Sequence, residues 1–266
     1  MVHLKRVFLR GLMLVAEALP TATCRLPAVA FRPGMMTGMM TVLALLLFAA
    51  AAEPARADAA QPSFLRSIET RSSNLNQFTR WTSVLARAAE EAARLEAGDC
   101  RFAGTAACSY QEWLQFLDGL RGLSKWQQLV AVNEYMNMRT YISDEKNWRT
   151  QDHWATPGEF LARSGDCEDF AIAKFFSLKH LGWTDDELRV AAVKDGKLGV
   201  GHAVLVAYSG GKTWLLDNQL RDVTDLNMVR HYEPVYSINE SHWWLHKKNE
   251  RPGSLVLTVS ARPARS

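Results

Sequence analysis

Cysteine is scarce in this chain of 266 residues, which holds only Cys24, Cys100, Cys108 and Cys167. With so few, each thiol asks for its own account. An excess of charge of one sign is lacking as well. Residues 1–57 hold six of the 31 Lys and Arg but two of the 28 acids, so the remainder carries 25 basic against 26 acidic side chains. That balance leaves no electrostatic footprint for nucleic acid, and nucleic acid is excluded as a partner. A long hydrophobic run is also missing. Thr41–Ala52, about a dozen apolar residues, is too short to span a bilayer as a stable helix. After residue 60 there is no internal repeat and no low-complexity tract, and the apolar content is that of an ordinary globular protein.

What is present begins with an address. The Thr41–Ala52 run is followed by Ala55-Arg56-Ala57, a small-x-small cleavage pattern, and residues 1–57 read as a secretory signal peptide with an unusually long charged segment before it. Met35, Met36, Met39 and Met40 stand just ahead of the apolar run and offer alternative starts. Export gives the cysteines a meaning. Cys100 and Cys108, with seven residues between them in a Gly/Ala-rich loop, can close a disulfide in an oxidising compartment, worth about 2.5 kcal/mol by loop entropy. Cys24 leaves with the signal peptide. Cys167 is then the odd thiol, and an unpaired thiol in an exported protein asks for a reason such as catalysis.

The helix that carries Cys167 is the most informative stretch. Phe170, Ala171, Ala173, Phe175, Phe176, Leu178 and Leu181 leave it little polar surface, and Gly182 supplies a left-handed stop. Cys167 falls in its first turn, where unpaired backbone N–H groups favour a thiolate. Asp166, Glu168 and Asp169 share that turn. They suit the helix dipole, yet three carboxylates beside a thiol favour its protonated form. Asp166 and Asp169, three residues apart, also resemble a capping box. A hard divalent cation would neutralise the cluster, and Ca²⁺ tolerates irregular oxygen shells better than Mg²⁺ does.

The period changes along the chain. Residues 58–73 read as a linker, residues 74–250 as the folded domain, and residues 251–266 as a C-terminal strand and tail. Amphipathic helices are expected over Asn76–Glu96, from Ser109 as N-cap to Gly122, and from Ser124 as N-cap to Tyr141. Ile142–Gly158 is loop-like and Glu159–Arg163 a short helical turn. Beyond Gly182 the runs Leu188–Val193, His202–Tyr208, Thr213–Asp217, Val235–Ile238 and Leu255–Val259 read as strands. Helices first and antiparallel strands afterwards give an α+β class, with the sheet packed on the Cys167 helix.

Hairpin arithmetic brings two polar residues together. If Gly210-Gly211 is a two-residue turn, Ser209 pairs with Lys212 and Val204 faces Asp217, so His202 and Asp217 are diagonal neighbours. A three-residue turn would put Asn218 opposite His202 instead. A thiol at a helix start, an imidazole at a strand start and an orienting carboxylate or amide are the parts of an activated cysteine nucleophile. A zinc site of Cys167, His202 and Asp217 is the metal alternative, though no short-spaced ligand pair supports it.

Several motifs resemble one family. They are Val132-Asn133-x-Tyr135, Asp144 with Trp148, Asp152-x-Trp154-x-Thr156-Pro157-x-Glu159-Phe160-Leu161, Gly165-Asp166-Cys167-Glu168-Asp169, His202-Ala203-Val204-Leu205 and Leu216-Asp217-Asn218. Over roughly residues 74–245 the chain resembles the bacterial transglutaminase-like cysteine proteases. The resemblance implies a papain-like, transglutaminase-type fold, a Cys167–His202–Asp217 triad, calcium dependence with Asp166 and Glu168 as ligands, and a periplasmic address. It also implies a large surface adhesin as substrate, cut near its N-terminal retention region so that cells leave a biofilm. An inner-membrane cyclic-di-GMP receptor that sequesters the protease is the implied inhibitory partner. Two other functions share these residues: a transglutaminase or amidase using the same triad, and a catalytically silent receptor-binding module.

Overall fold

One helix is apolar on every side, and the architecture follows from what must cover it. The computed structural model describes residues 63–99 and 108–248. The signal peptide of residues 1–57, Cys24, Cys100 and the strand expected at Leu255–Val259 lie outside the described residues. The helix in question, Cys167–His180, buries Phe170, Ile172, Phe175 and Leu178 at 0–2% exposure, each worth about 1.5–3 kcal/mol in apolar transfer before entropy is counted. Such burial needs a layer on each side.

In chain order the elements are β1 (Ile68–Ser72), α1 (Thr79–Glu96), α2 (Ser109–Gly119), α3 (Lys125–Asn137), α4 (Asp144–Asn147), α5 (Pro157–Arg163), α6 (Cys167–His180), β2 (Leu188–Asp195), β3 (Val200–Ser209), β4 (Lys212–Leu216), β5 (Thr224–Asp225), β6 (Tyr232–Ile238) and β7 (Trp243–Lys247). The strands form one antiparallel sheet in the order β1-β7-β6-β2-β3-β4-β5. This is the expected α+β class. Alternate residues of the central strands feed two cores, as the two-residue period of a strand requires. Leu188, Val190, Leu205 and Ala207 join the helices, whereas Ala191, Val193, Val204 and Val206 join Phe64, Leu226 and Tyr232 in a smaller cluster.

Local signals explain several boundaries. Ser124 caps α3 through the Gln127 amide, and Thr156 caps α5 with Glu159 in reciprocal bonds behind Pro157 at the first position. Gly182, at φ +88°, ends α6 as expected, and Gly210 and Gly211, at φ +63° and +70°, make the two-residue turn between β3 and β4. Ser109 is the first helical residue of α2 rather than its cap, which is Cys108. Within the expected loop Ile142–Gly158, residues 144–147 form the single turn α4.

The linker assignment for residues 58–73 needs correction. Residues 68–72 are an edge strand, paired with β7 from Ile68 opposite Lys247 to Ser72 opposite Trp243. Glu69 on that strand meets the buried Arg189 at 2.8 Å, and the Arg189 guanidinium lies 3.7 Å from the Trp244 ring centre. The strand is short and polar, Ile-Glu-Thr-Arg-Ser, and its partner is about 175 positions away, so no local pattern announces it.

Candidate active site

The start of α6 meets the start of β3 and the end of β4. His202 is 6% exposed and Asp217 fully buried. The register is the one expected for a two-residue turn: Ser209 pairs with Lys212 and Leu205 with Leu216, so the next pair is Val204 with Asp217. The diagonal bond forms, with His202 Nε2 lying 2.9 Å from Asp217 Oδ1. Asp217 is held from three more directions. The Tyr232 hydroxyl donates to Oδ2 at 2.6 Å, the Gln219 N–H donates to Oδ1 at 2.9 Å, and Asn137 Nδ2 donates to the Asp217 carbonyl at 2.8 Å. Burial alone would raise this carboxyl, but the hydrogen bond and charge of His202, with the Tyr232 hydroxyl, hold it below the usual range. An ionised carboxylate can only accept, so Nε2 carries the proton and Nδ1 keeps a lone pair. The Gln219 side-chain amide lies 3.4 Å from that Nδ1. Asn218 makes no bond to His202, and its Oδ1 is buried without a partner.

Cys167 is the free cysteine among the described residues, whereas Cys108 is disulfide-bonded. The Cys167 thiol accepts from the N–H of Ala203, next to His202, and donates to Glu168 Oε2 at 3.1 Å. Its pKa is raised, first by burial and then by the Glu168 carboxylate, with Asp166 adding to both. The helix start therefore does not by itself produce a thiolate. Burial and the carboxylates beside it both favour the protonated thiol.

The acidic cluster has more members than the sequence singled out. Asp144, Asp166 and Asp169 bring one oxygen each within 4.8 Å of one another, as do Asp144, Asp152 and Glu168. Backbone pairing assembles it: Tyr141 bridges Gly165, and Ile142 N–H donates to the Gly165 carbonyl at 2.8 Å, which carries Asp144 to the α6 start. Asp169 is satisfied as a cap, accepting from Ala155 N–H at 2.7 Å and from Asp166 N–H at 3.2 Å. Asp144 Oδ1 and Asp166 Oδ1 are buried with no hydrogen-bond partner. Burial, then the Glu168 charge, pushes Asp166 up to about 8, and burial raises Asp144. Two orphaned carboxylate oxygens beside Glu168 form an all-oxygen donor set of the kind a hard cation takes. The set fits Ca²⁺.

A model of the bacterial transglutaminase-like cysteine proteinases matches residues 106–251, more than half of the chain. The chain belongs to that family. It is a cysteine peptidase. Among solved structures, the EGTA-treated LapG of Legionella pneumophila is 31% identical, with 53% of this peptidase and 77% of that chain covered at a TM-score of 0.49. The calcium-bound LapG of the same organism is 26% identical over 67% and 93%, also at a TM-score of 0.49. A cysteine protease structure from Cytophaga hutchinsonii is 15% identical over 57% and 56%, at a TM-score of 0.33. No curated protein matches the chain.

All five residues expected at the site of this peptidase, Cys167, His202, Asp217, Asp166 and Glu168, lie on the elements that converge there. Sequence reasoning did not assign Tyr232, Gln219 or Asp144. Asp144 had a signal, since it stands in a family-like motif with Trp148. Tyr232 had none, because it reaches Asp217 from β6, two strands away from β3 in the sheet.

Proposed function

We propose that this peptidase is a calcium-dependent periplasmic endopeptidase with Cys167 as nucleophile, His202 as base and Asp217 as orienting carboxylate. It cuts a large surface adhesin near the N-terminal retention region, releases it and promotes biofilm dispersal. An inner-membrane cyclic-di-GMP receptor holds it inactive. The observation that carries the triad is the 2.9 Å bond from His202 Nε2 to Asp217 Oδ1, with the Cys167 thiol against the N–H of the very next residue, Ala203. The substrate and receptor rest on the likeness of the motifs from Val132 to Asn218 to the family. The periplasmic address rests on the apolar run and Ala55-Arg56-Ala57.

In this reading Nδ1 of His202 takes the thiol proton, and the thiolate adds to the carbonyl carbon of the scissile peptide. The Cys167 backbone N–H at the head of α6 is the candidate donor to the resulting oxyanion. His202 returns the proton to the leaving amine as the C–N bond breaks, and water then cleaves the thioester. Asp217 holds the imidazole in the required tautomer throughout. Ca²⁺, held by Asp166, Glu168 and Asp144, would supply the positive charge that offsets the carboxylates around the thiol.

The test is cleavage of the purified N-terminal region of a large adhesin from the same bacterium, with calcium present. The native chain yields two fragments and Cys167→Ala yields none. Cleavage by Cys167→Ala, or none by the native chain, would overturn the proposal.

A further inference from the structure

Gln219, in the loop that follows β4, touches both members of the His202–Asp217 pair. The local reason is Asp217 itself. A carboxylate that accepts from the N–H two residues on makes a turn through its own side chain, and Asp217 Oδ1 accepts from Gln219 N–H at 2.9 Å. That turn brings the Gln219 carboxamide back to the imidazole, where its nitrogen lies 3.4 Å from His202 Nδ1. The 2.9 Å bond from His202 Nε2 to Asp217 Oδ1 then closes a ring of three hydrogen bonds through carboxylate, imidazole and carboxamide.

The ring of bonds assigns the protons. His202 Nε2–H donates to the ionised Asp217, so Nδ1 accepts, and the Gln219 amide is its donor. Among the described residues no other side chain bonds Nδ1. The Cys167 thiol on α6 donates to Glu168, the Tyr232 hydroxyl on β6 donates to Asp217, and Asp195 on β2 accepts at Oδ1 from the N–H groups of Lys197 and Leu198. An imidazole bonded at Nε2 alone can turn about that bond, whereas one bonded at both nitrogens is fixed in its plane. Gln219 is itself exposed, so its side chain can withdraw into solvent when the thiol proton comes to Nδ1.

We propose that Gln219 is a positioning residue of the peptidase that acts through His202. Its side-chain amide holds the ring at the second nitrogen and keeps the Nδ1 lone pair in place for the thiol proton. The inference rests on the triad assigned above.

Gln219→Ala and Gln219→Met keep the backbone N–H, and with it the turn at Asp217, while removing the donor. With calcium present and the adhesin fragment as substrate, the kcat of both is expected to fall about fivefold, the weight of one neutral hydrogen bond, with KM little changed. Native kcat in either variant overturns the proposal. A kcat above native overturns it as well, because the amide would then only obstruct Nδ1.

Gln219→Glu keeps the shape of the side chain and reverses its polarity. A carboxylate beside Nδ1 draws a proton there, so the acid limb of kcat/KM moves upward by about one unit. Nitrogen-15 spectra of the histidine rings read the same change without substrate. Above the acid limb of the native chain, His202 is expected to carry its proton on Nε2 and none on Nδ1, whereas Gln219→Glu at the same pH has Nδ1 protonated. An unmoved acid limb or unmoved ring nitrogens overturn the proposal. A failed triad is read separately, as cleavage by Cys167→Ala.

Discussion

The Cys167 thiol donates to Glu168 Oε2 at 3.1 Å, so the nucleophile is hydrogen-bonded to the carboxylate of the next residue in the chain. That bond and the negative charge behind it hold the thiol protonated, after burial the strongest influence on it. The same carboxylate belongs to the acidic cluster with Asp144 and Asp152. A group that suppresses the nucleophile when unneutralised is a natural point of control by a cation. A calcium-specific chelator is therefore expected to abolish peptidase activity, and added Ca²⁺ to restore it. Asp166→Ala and Glu168→Ala should behave like the chelated enzyme. Full turnover by protein shown metal-free by elemental analysis would refute this.

Asp217 and Tyr232 give a graded series. Asp217→Asn is expected to fold but to lose about three to four orders of magnitude in kcat, because an amide can hold the wrong imidazole tautomer. Tyr232→Phe removes a 2.6 Å hydrogen bond to the carboxylate, of a charge-assisted class worth about 1.5–3 kcal/mol. Asp217 then protonates more readily, so the acid limb of kcat/KM moves to higher pH. Asn218→Ala should stay within a few-fold of the native rate. If it is the most damaging of the three, the amide and not the carboxylate orients His202.

The legible parts of the sequence were those in which local pattern and tertiary role coincide. The apolar Cys167 helix, the Ser124 cap and the Gly210-Gly211 turn each state their own geometry, and the turn brings either Asp217 or Asn218 beside His202. The Asp217 and Asn218 alternatives differed by one residue of register, which only the observed pairing resolves. What stayed hidden is long-range. β1 reads as linker because its partner is β7, and Tyr232, outside the expected strand Val235–Ile238, gives no local sign that its hydroxyl bonds a carboxylate fifteen positions away.

Gly165 is required for space rather than for backbone freedom. A Cβ built there would lie 2.0 Å from Asp169 Oδ2 and 2.6 Å from Asp169 Cβ. Asp169 is fully buried and bonded to Asp166 N–H and Ala155 N–H, so it has nowhere to retreat. Gly165→Ala should cost about 1–3 kcal/mol in denaturant unfolding, the range for forced overpacking. It should also lower activity, because the displaced carboxylate anchors the turn that carries Cys167. A variant with native stability and native rate would show that the Asp169 contact does not set this geometry.

Glu91 predicts how stability depends on pH. It projects from α1, is 6% exposed, and accepts from the Thr156 hydroxyl and from Gly158 N–H at 2.9 Å, so it ties α1 to the head of α5. Burial raises its pKa from 4.5 to about 7, opposed by those two bonds. Because the folded-state pKa lies above the unfolded one, the native protein binds the proton more tightly. The associated stability is complete below about 4.5 and is lost as pH rises through about 7. The size of the loss is on the order of 3 kcal/mol for a shift of this extent. Glu91→Gln carries no titrating proton and keeps an oxygen for Thr156, so its unfolding free energy should be flat over that window while the native value falls. Denaturant midpoints measured at half-unit steps from pH 4.5 to 7.5 decide it. Parallel curves for the two proteins would mean that Glu91 is ionised in the fold throughout, and that the α1–α5 contact tolerates its charge.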